Sequence, residues 1–198
     1  MGYGAEFEFL AGHRALDFAN TVHCHGFADP RDDLRGWEDL LRWGRQAGFL
    51  SRKDLRLCLG HADRSVQFDN ALQLRETIFQ LFSRIAAGKT IPPGLLSALN
   101  QEVRRAWSKL VVAPSGANSY ALALTGAGDP VERMLDELTR GAIDLLTSGN
   151  LDRVRQCASD TCSWLFLDTS RNGKRRWCDM QACGNRAKVR RFREREMG

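Results

Sequence analysis

No stretch of the 198 residues approaches the roughly 18 uninterrupted apolar residues that a membrane helix needs. The first ten residues carry Glu6 and Glu8 and lack a basic segment followed by an apolar one, so no secretory signal is expected. Gly2 is followed by Glu6 where a myristoylation motif wants Ser or Thr, and the expected location is the cytoplasm. There is no internal repeat and no low-complexity tract. Histidine is scarce: all 4 residues lie at or before His61, so the C-terminal part has none of its own to activate a water. Disorder is excluded from the other side, because 43% of the chain is hydrophobic and its net charge is only +5.

What is present is unevenly placed. Residues 1–150 hold 17 Lys/Arg against 18 Asp/Glu, whereas residues 151–198 hold 12 against 6. The positive excess therefore belongs to the last quarter, and 171–195 has 10 basic residues with only Asp179 and Glu194 opposing them. A compact basic segment beside a neutral body is the footprint of a polyanion binder; a solvated charged tail is the blander alternative.

The cysteines divide in the same way. Cys24 and Cys58 stand apart, while Cys157, Cys162, Cys178 and Cys183 form two C-x4-C pairs separated by fifteen residues. In a reducing compartment such pairs are expected to be metal ligands rather than disulfides. Four thiolates suit one closed, tetrahedral, structural Zn²⁺; an iron–sulfur cluster is less usual at this spacing. A segment under fifty residues long scarcely builds its own core, and a metal supplies the missing folding energy.

The chain is expected to be mainly α (α+β), with a helical domain over 1–150 and a small finger over 151–198. Trp37, Leu40, Leu41 and Ala47 mark one helical face between Leu34 and Gly48, and Leu74, Ile78, Leu81, Phe82 and Ile85 another, closed by Gly88 and Lys89. Pro92-Pro93 opens a helix with Leu96, Leu99, Val103 and Trp107 inward. Asp129-Pro130-x-Glu132 caps the next, which buries Val131, Leu135, Leu138, Ala142 and Leu145 and ends at Gly149. Leu110–Val112 and Tyr120–Leu124 flank Pro-Ser-Gly-Ala-Asn as a β-hairpin, and Glu6–Leu10 reads as a short strand ahead of a helix near His13–His23. No catalytic constellation stands out here. His23, Cys24 and His25, with His13 or His61, are weighed as a metal or nucleophilic site against a plain helix end running into a loop. Asp17, Asn20 and Thr21 interrupt the apolar Leu16–Val22 segment; they either tie neighbouring elements or line a pocket for a small-molecule ligand.

In the tail, Cys157-Ala-Ser-Asp-Thr-Cys162 is a loop able to present two sulfurs to one metal. Ser163–Asp168 is strand-favouring, Asn172-Gly173 signals a turn, and Arg175-Arg-Trp177 is expected as the second strand of a hairpin with Trp164 and Trp177 in its core. From Met180 the pattern turns helical, with Ala182, Asn185, Val189 and Phe192 on an apolar stripe expected to pack on that hairpin. Arg186, Arg190 and Arg193 lie along one flank; Lys188, Arg191 and Arg195 lie along the other. Knuckle, hairpin and ligand-bearing helix follow the order of a treble-clef-like zinc finger with four cysteine ligands. Leu151-Asp-Arg-Val-Arg-Gln-Cys157, Trp164-Leu-Phe-Leu-Asp168, Thr169-Ser-Arg-Asn172, Arg175-Arg-Trp-Cys178 and Cys183-Gly-Asn-Arg186 together resemble the bacterial CGNR zinc-finger family. In that family the finger follows an ABATE domain, named for a proposed role in stress-induced transcription regulation, and Leu16-Asp-Phe-Ala-Asn-Thr21 resembles that domain's opening motif.

The resemblance implies a non-enzymatic, zinc-dependent, DNA-binding regulator that responds to stress. Arg175, Arg176, Arg186, Lys188, Arg190, Arg191 and Arg193 are the candidate nucleic-acid contacts, Arg186 alternatively orienting the sulfurs. Gly184 is expected to let the backbone pass the metal knuckle and Asn185 to support the sulfurs. One small finger binds weakly, so a homodimer on duplex DNA is expected. RNA or a protein is the alternative partner, and a nuclease is the enzyme-class alternative, requiring a body histidine to reach the finger.

Overall fold

The computed structural model describes residues 6–58, 64–124 and 129–196, with the backbone alone at Leu124, Arg191, Glu194 and Arg195. His61 lies outside the described residues. A short helix α1 (Arg14–Ala19) leads into a two-residue ladder, β1 (Val22–His23) against β2 (Arg31–Asp32). Helices α2 (Trp37–Gln46), α3 (Arg52–Cys58), α4 (Arg64–Ala86) and α5 (Pro93–Trp107) follow. The antiparallel hairpin of β3 (Leu110–Gly116) and β4 (Ser119–Leu124) precedes α6 (Pro130–Thr147).

Helix α4 is the axis of the body. Its buried face, Ala71, Leu74, Ile78, Phe79, Leu81 and Phe82, meets α1, α2, α5 and α6, and the helix starts ten residues before the apolar stripe read from sequence. The α6 signals are realised atom by atom. The Asp129 carboxylate accepts from the N–H groups of Val131 and Glu132, Pro130 opens the first turn, and Gly149 follows the helix at φ +77°. Two expectations fail. Among the described residues Glu6–Leu10 joins no ladder; the Phe7 N–H is held instead by the Gln46 side chain. In α5 only Leu99 and Ala106 are buried, while Leu96 and Trp107, at the ends of the helix, are more than a third exposed.

Beyond α6 a 3₁₀ turn (Leu151–Arg153) enters β5 (Val154–Gln156), which pairs antiparallel with β6 (Leu165–Leu167). The expected hairpin between Ser163–Asp168 and Arg175–Cys178 is therefore corrected: β6 pairs back to the strand before the knuckle. Residues 174–177 cross as irregular chain, because their backbone groups are taken singly, Arg175 N–H by the Asp168 carboxylate and Arg176 C=O by Ala158 N–H. A single π turn (Met180–Gly184) then leads into α7 (Asn185–Glu196). The apolar core runs without a break from α1, α4 and α6 into Val154, Trp164, Leu165 and Phe166.

Candidate metal centre and its junction with the body

Each cysteine is set by local backbone. Cys157 follows β5, its N–H bonded to Trp164 C=O, and Cys162 closes the turn with a bond from its N–H to Ser159 C=O. Cys178 ends the crossing segment and donates its N–H to the Cys157 sulfur at 3.5 Å. Cys183 lies in the π turn, whose start is fixed by the Asp179 carboxylate accepting from Ala182 N–H. All four are buried and their Sγ atoms lie within 4.8 Å of one another; Cys162–Cys178 and Cys178–Cys183 are each 3.6 Å apart. Sulfurs about 2.3 Å from a tetrahedral zinc stand roughly 3.8 Å from each other, and disulfide sulfurs only about 2 Å. The spacing thus fits a shared metal, and the chain's cysteines are all free of disulfides.

Charge points the same way. Hydrogen bonds from Cys162 and Cys178 pull the Cys157 thiol far down, while the Cys162 and Cys178 thiols are pushed up, first by their bonds to Cys157. So tight a cluster holds four thiolates only with a cation among them. Four sulfurs fill a tetrahedron, so this donor set holds one structural zinc whose contribution is folding energy, with no open position for a reacting group. The Arg186 guanidinium donates to the Cys183 sulfur at 3.0 Å, which supports one of the two roles considered for it. The contact from this turn to the sulfurs is made by Arg186 and not by Asn185, which instead begins α7. Gly184 serves close packing of another kind: a Cβ there would stand 2.5 Å from Met180 Sδ and 3.2 Å from Trp177 Cδ1.

The other candidate residues separate by where their side chains go. Arg175 turns inward: its guanidinium covers the Phe166 ring at 4.4 Å and donates to the carbonyls of Trp177, Cys178 and Leu10. Arg176, Lys188, Arg190 and Arg193 are exposed, Arg190 pairing with Asp160 of the knuckle; Arg191 belongs to α7. The expected packing of the α7 stripe does not occur. Val189 is 50% and Phe192 62% exposed, because the helix packs on its own preceding turn and buries Ala187 instead.

The junction with the body is where sequence reading saw least. The Asn20 side-chain amide donates to Leu165 C=O and accepts from Leu165 N–H, both at 2.8 Å, pairing with β6 as a neighbouring strand would. One Asp17 carboxylate oxygen holds Ala11 N–H, and Ala11 C=O receives Leu167 N–H. Thr21 donates to Phe18 C=O and accepts from Arg75, whose guanidinium forms a two-point pair with Asp32. All three polar residues also line a cavity of about 400 Å³ between α1, the β1–β2 ladder and Trp164.

His23, Cys24 and His25 pack on the finger. The Cys24 thiol reaches Thr161 C=O, His25 N–H donates to Ser163 Oγ, and the His23 ring lies 5.1 Å from Trp164. The body does bring histidines to the finger, yet His23 is paired with Asp33 and His25 with Glu76. His13 instead caps α1. A residue that sequence reading passed over is Asp168, buried beside β6. Burial raises its carboxyl, but hydrogen bonds from Ser170 N–H, Ser170 Oγ and Arg175 N–H outweigh that and hold it below the usual range. Its signal was an acid closing an apolar run just before a turn.

Two family descriptions match the chain. Residues 153–196 match the CGNR zinc finger, and residues 12–149 match ABATE, described as "Putative stress-induced transcription regulator". No curated protein matches it. No helix among the described residues is long and apolar enough to cross a membrane. With 12–149 accounting for most of its length, the chain belongs to the ABATE family and carries a CGNR zinc finger after that domain.

Proposed function

We propose that the protein is a zinc-dependent regulator that binds duplex DNA through its finger, α7 lying against the phosphate backbone. The observation that carries this reading is α7 itself, a helix that packs on its own zinc turn, pairs with the knuckle through Arg190 and Asp160, and leaves Lys188, Arg190 and Arg193 exposed. With four thiolates and one Zn²⁺ adding −2, the +6 of residues 151–198 falls to about +4 and stays concentrated on this exposed surface. Arg176 extends the basic face from the crossing segment. Arg175 works inward, on backbone carbonyls, while Arg186 is exposed as well as bonded to the Cys183 sulfur and so belongs to both the support and the basic face. Two copies of the chain on paired half-sites supply the affinity that one finger lacks. A stress signal reaching the body is the corresponding regulatory role, and the junction at Asn20 is the path by which the body holds the finger in place.

The experiment is selection of bound sequences from random duplex DNA by the zinc-loaded protein, run beside an RNA pool, followed by affinity against salt for the selected site. The double variant Lys188→Ala/Arg193→Ala is expected to bind more weakly and to lose about two units of salt slope while keeping its zinc. An unchanged slope, or enrichment from the RNA pool alone, overturns the assignment.

A further inference from the structure

From Leu110 to Leu124 the chain carries no charged residue, in a protein of which 27% is charged. These residues form the β3–β4 ribbon, a sheet of two strands with no third strand on either edge among the described residues. Its register puts Val112 opposite Leu122 and Pro114 opposite Tyr120, so these four share one face. That face is open: Val112 is 70%, Leu122 62% and Tyr120 73% exposed. An isolated two-stranded ribbon is marginal in water, and four apolar side chains in register on an uncharged surface are a liability unless something covers them.

We infer that the cover is the same ribbon of a second copy, related by a two-fold axis. Charge decides the partner. Among the other exposed apolar side chains, Val189 and Phe192 stand on the arginine-rich α7, so a ribbon-to-α7 contact sets an uncharged surface against a cationic one and does not close on itself. Ribbon against ribbon, face to face, is uncharged against uncharged and self-complementary. Area agrees. The exposed ribbon side chains leave on the order of 500 Å² per copy, so two copies reach the roughly 1,000 Å² at which specific interfaces begin. The inference gives the homodimer of the regulator reading its interface and places that interface on the body.

The test uses the full zinc-loaded chain without nucleic acid, so it fails or succeeds independently of DNA binding. Light scattering behind size exclusion is expected to give twice 22.3 kDa at tens of micromolar protein. The double variant Tyr120→Ser/Leu122→Lys is expected to self-associate at least ~10-fold more weakly, with zinc content and helicity unchanged. Phe192→Ser on α7 is expected to leave the dimer intact. A monomeric native chain, a ribbon variant as dimeric as the native chain, or a dimer lost only with Phe192→Ser overturns the inference. Should the ribbon variant fail to fold, Val112→Lys alone provides the same reading from the opposite strand.

Discussion

The body and the finger solve the same problem with different means. The body buries Leu74, Ile78, Leu81 and Phe82 of α4 against α1 and α6, and its stability comes from apolar area around one long helix. The finger spends its last helix on solvent. Its two short strands are buried because the body covers them, and the rest is organised by four sulfurs and by the bonds of Arg175 to backbone carbonyls and of Arg186 to the Cys183 sulfur. A helix released from packing is free to carry six basic residues between Asn185 and Glu196, a density that the longer body helices α4, α5 and α6 do not approach. The metal centre is what makes that freedom compatible with a folded structure.

The largest effect expected on this contrast comes from removing the metal. Cys162→Ser, or chelation, is expected to release the zinc and undo the knuckle, which draws on the order of 10 kcal/mol from metal binding. Trp164, now buried beside Cys162, is expected to become exposed and to shift its fluorescence to the red. The body helices are expected to persist in circular dichroism with a lowered melting temperature. Stoichiometric zinc retained by the serine variant contradicts the ligand set. Collapse of the body along with the finger erases the distinction drawn above and makes the two a single folding unit.

Second in size is the tie between them. Asn20 stands in for a strand beside β6, and Asn20→Leu leaves the buried N–H and C=O of Leu165 without partners. A loss of about 3 kcal/mol is expected in chemical denaturation of the zinc-loaded protein. Asn20→Asp keeps the acceptor, loses the donor and adds a buried charge, so it is expected to be no better. If Asn20→Leu costs less than about 0.5 kcal/mol, the apolar core alone joins body and finger.

These two sites also mark how far the sequence could be read. The metal centre was legible because its signal is local: two C-x4-C pairs bring sulfurs together within loops, and nothing distant is required. The cap of α6 was legible for the same reason, since Asp129 and Pro130 act within one turn. Asn20 was seen as a polar residue needing a partner, but the partner lies 145 residues away, and only the folded chain reveals whether it is a ligand or a strand. The pairing of β6 was misassigned because residues 175–177 have strand-like composition; the choice between them and β5 is made by α1 and α4, which cover the β5–β6 ladder. The α7 stripe misled in a related way, since its spacing specifies a helix without saying whether anything lies beneath it.

The smallest expected effect sharpens the body's side of the contrast, because it concerns a charge that works in the body without a metal. Ser51 and Asp54 bracket the start of α3: the Asp54 carboxylate accepts from Ser51 N–H and Oγ, and Asp54 N–H returns a bond to Ser51 Oγ. Arg133 of α6 reaches the other carboxylate oxygen at 2.8 Å. The Ser51 bonds, assisted by Arg133 and outweighing burial, hold the Asp54 carboxyl down to about 2. A carboxyl held low favours the ionised, folded form. Its contribution is therefore full above the ordinary carboxylate range and is lost as pH falls through that range toward about 2. Ser51→Ala is expected to cost no more than about 0.5–1 kcal/mol at pH 7, since the site is partly solvated. That cost is expected to shrink in acid, where Asp54 is protonated in both proteins. The acid-labile thiolates of the finger are common to the pair and cancel in the difference, so urea denaturation of native and variant chains across this range isolates the body's charge. A cost that stays constant down to the lowest pH identifies the serine as a neutral cap and removes Asp54's charge from the stability of α3.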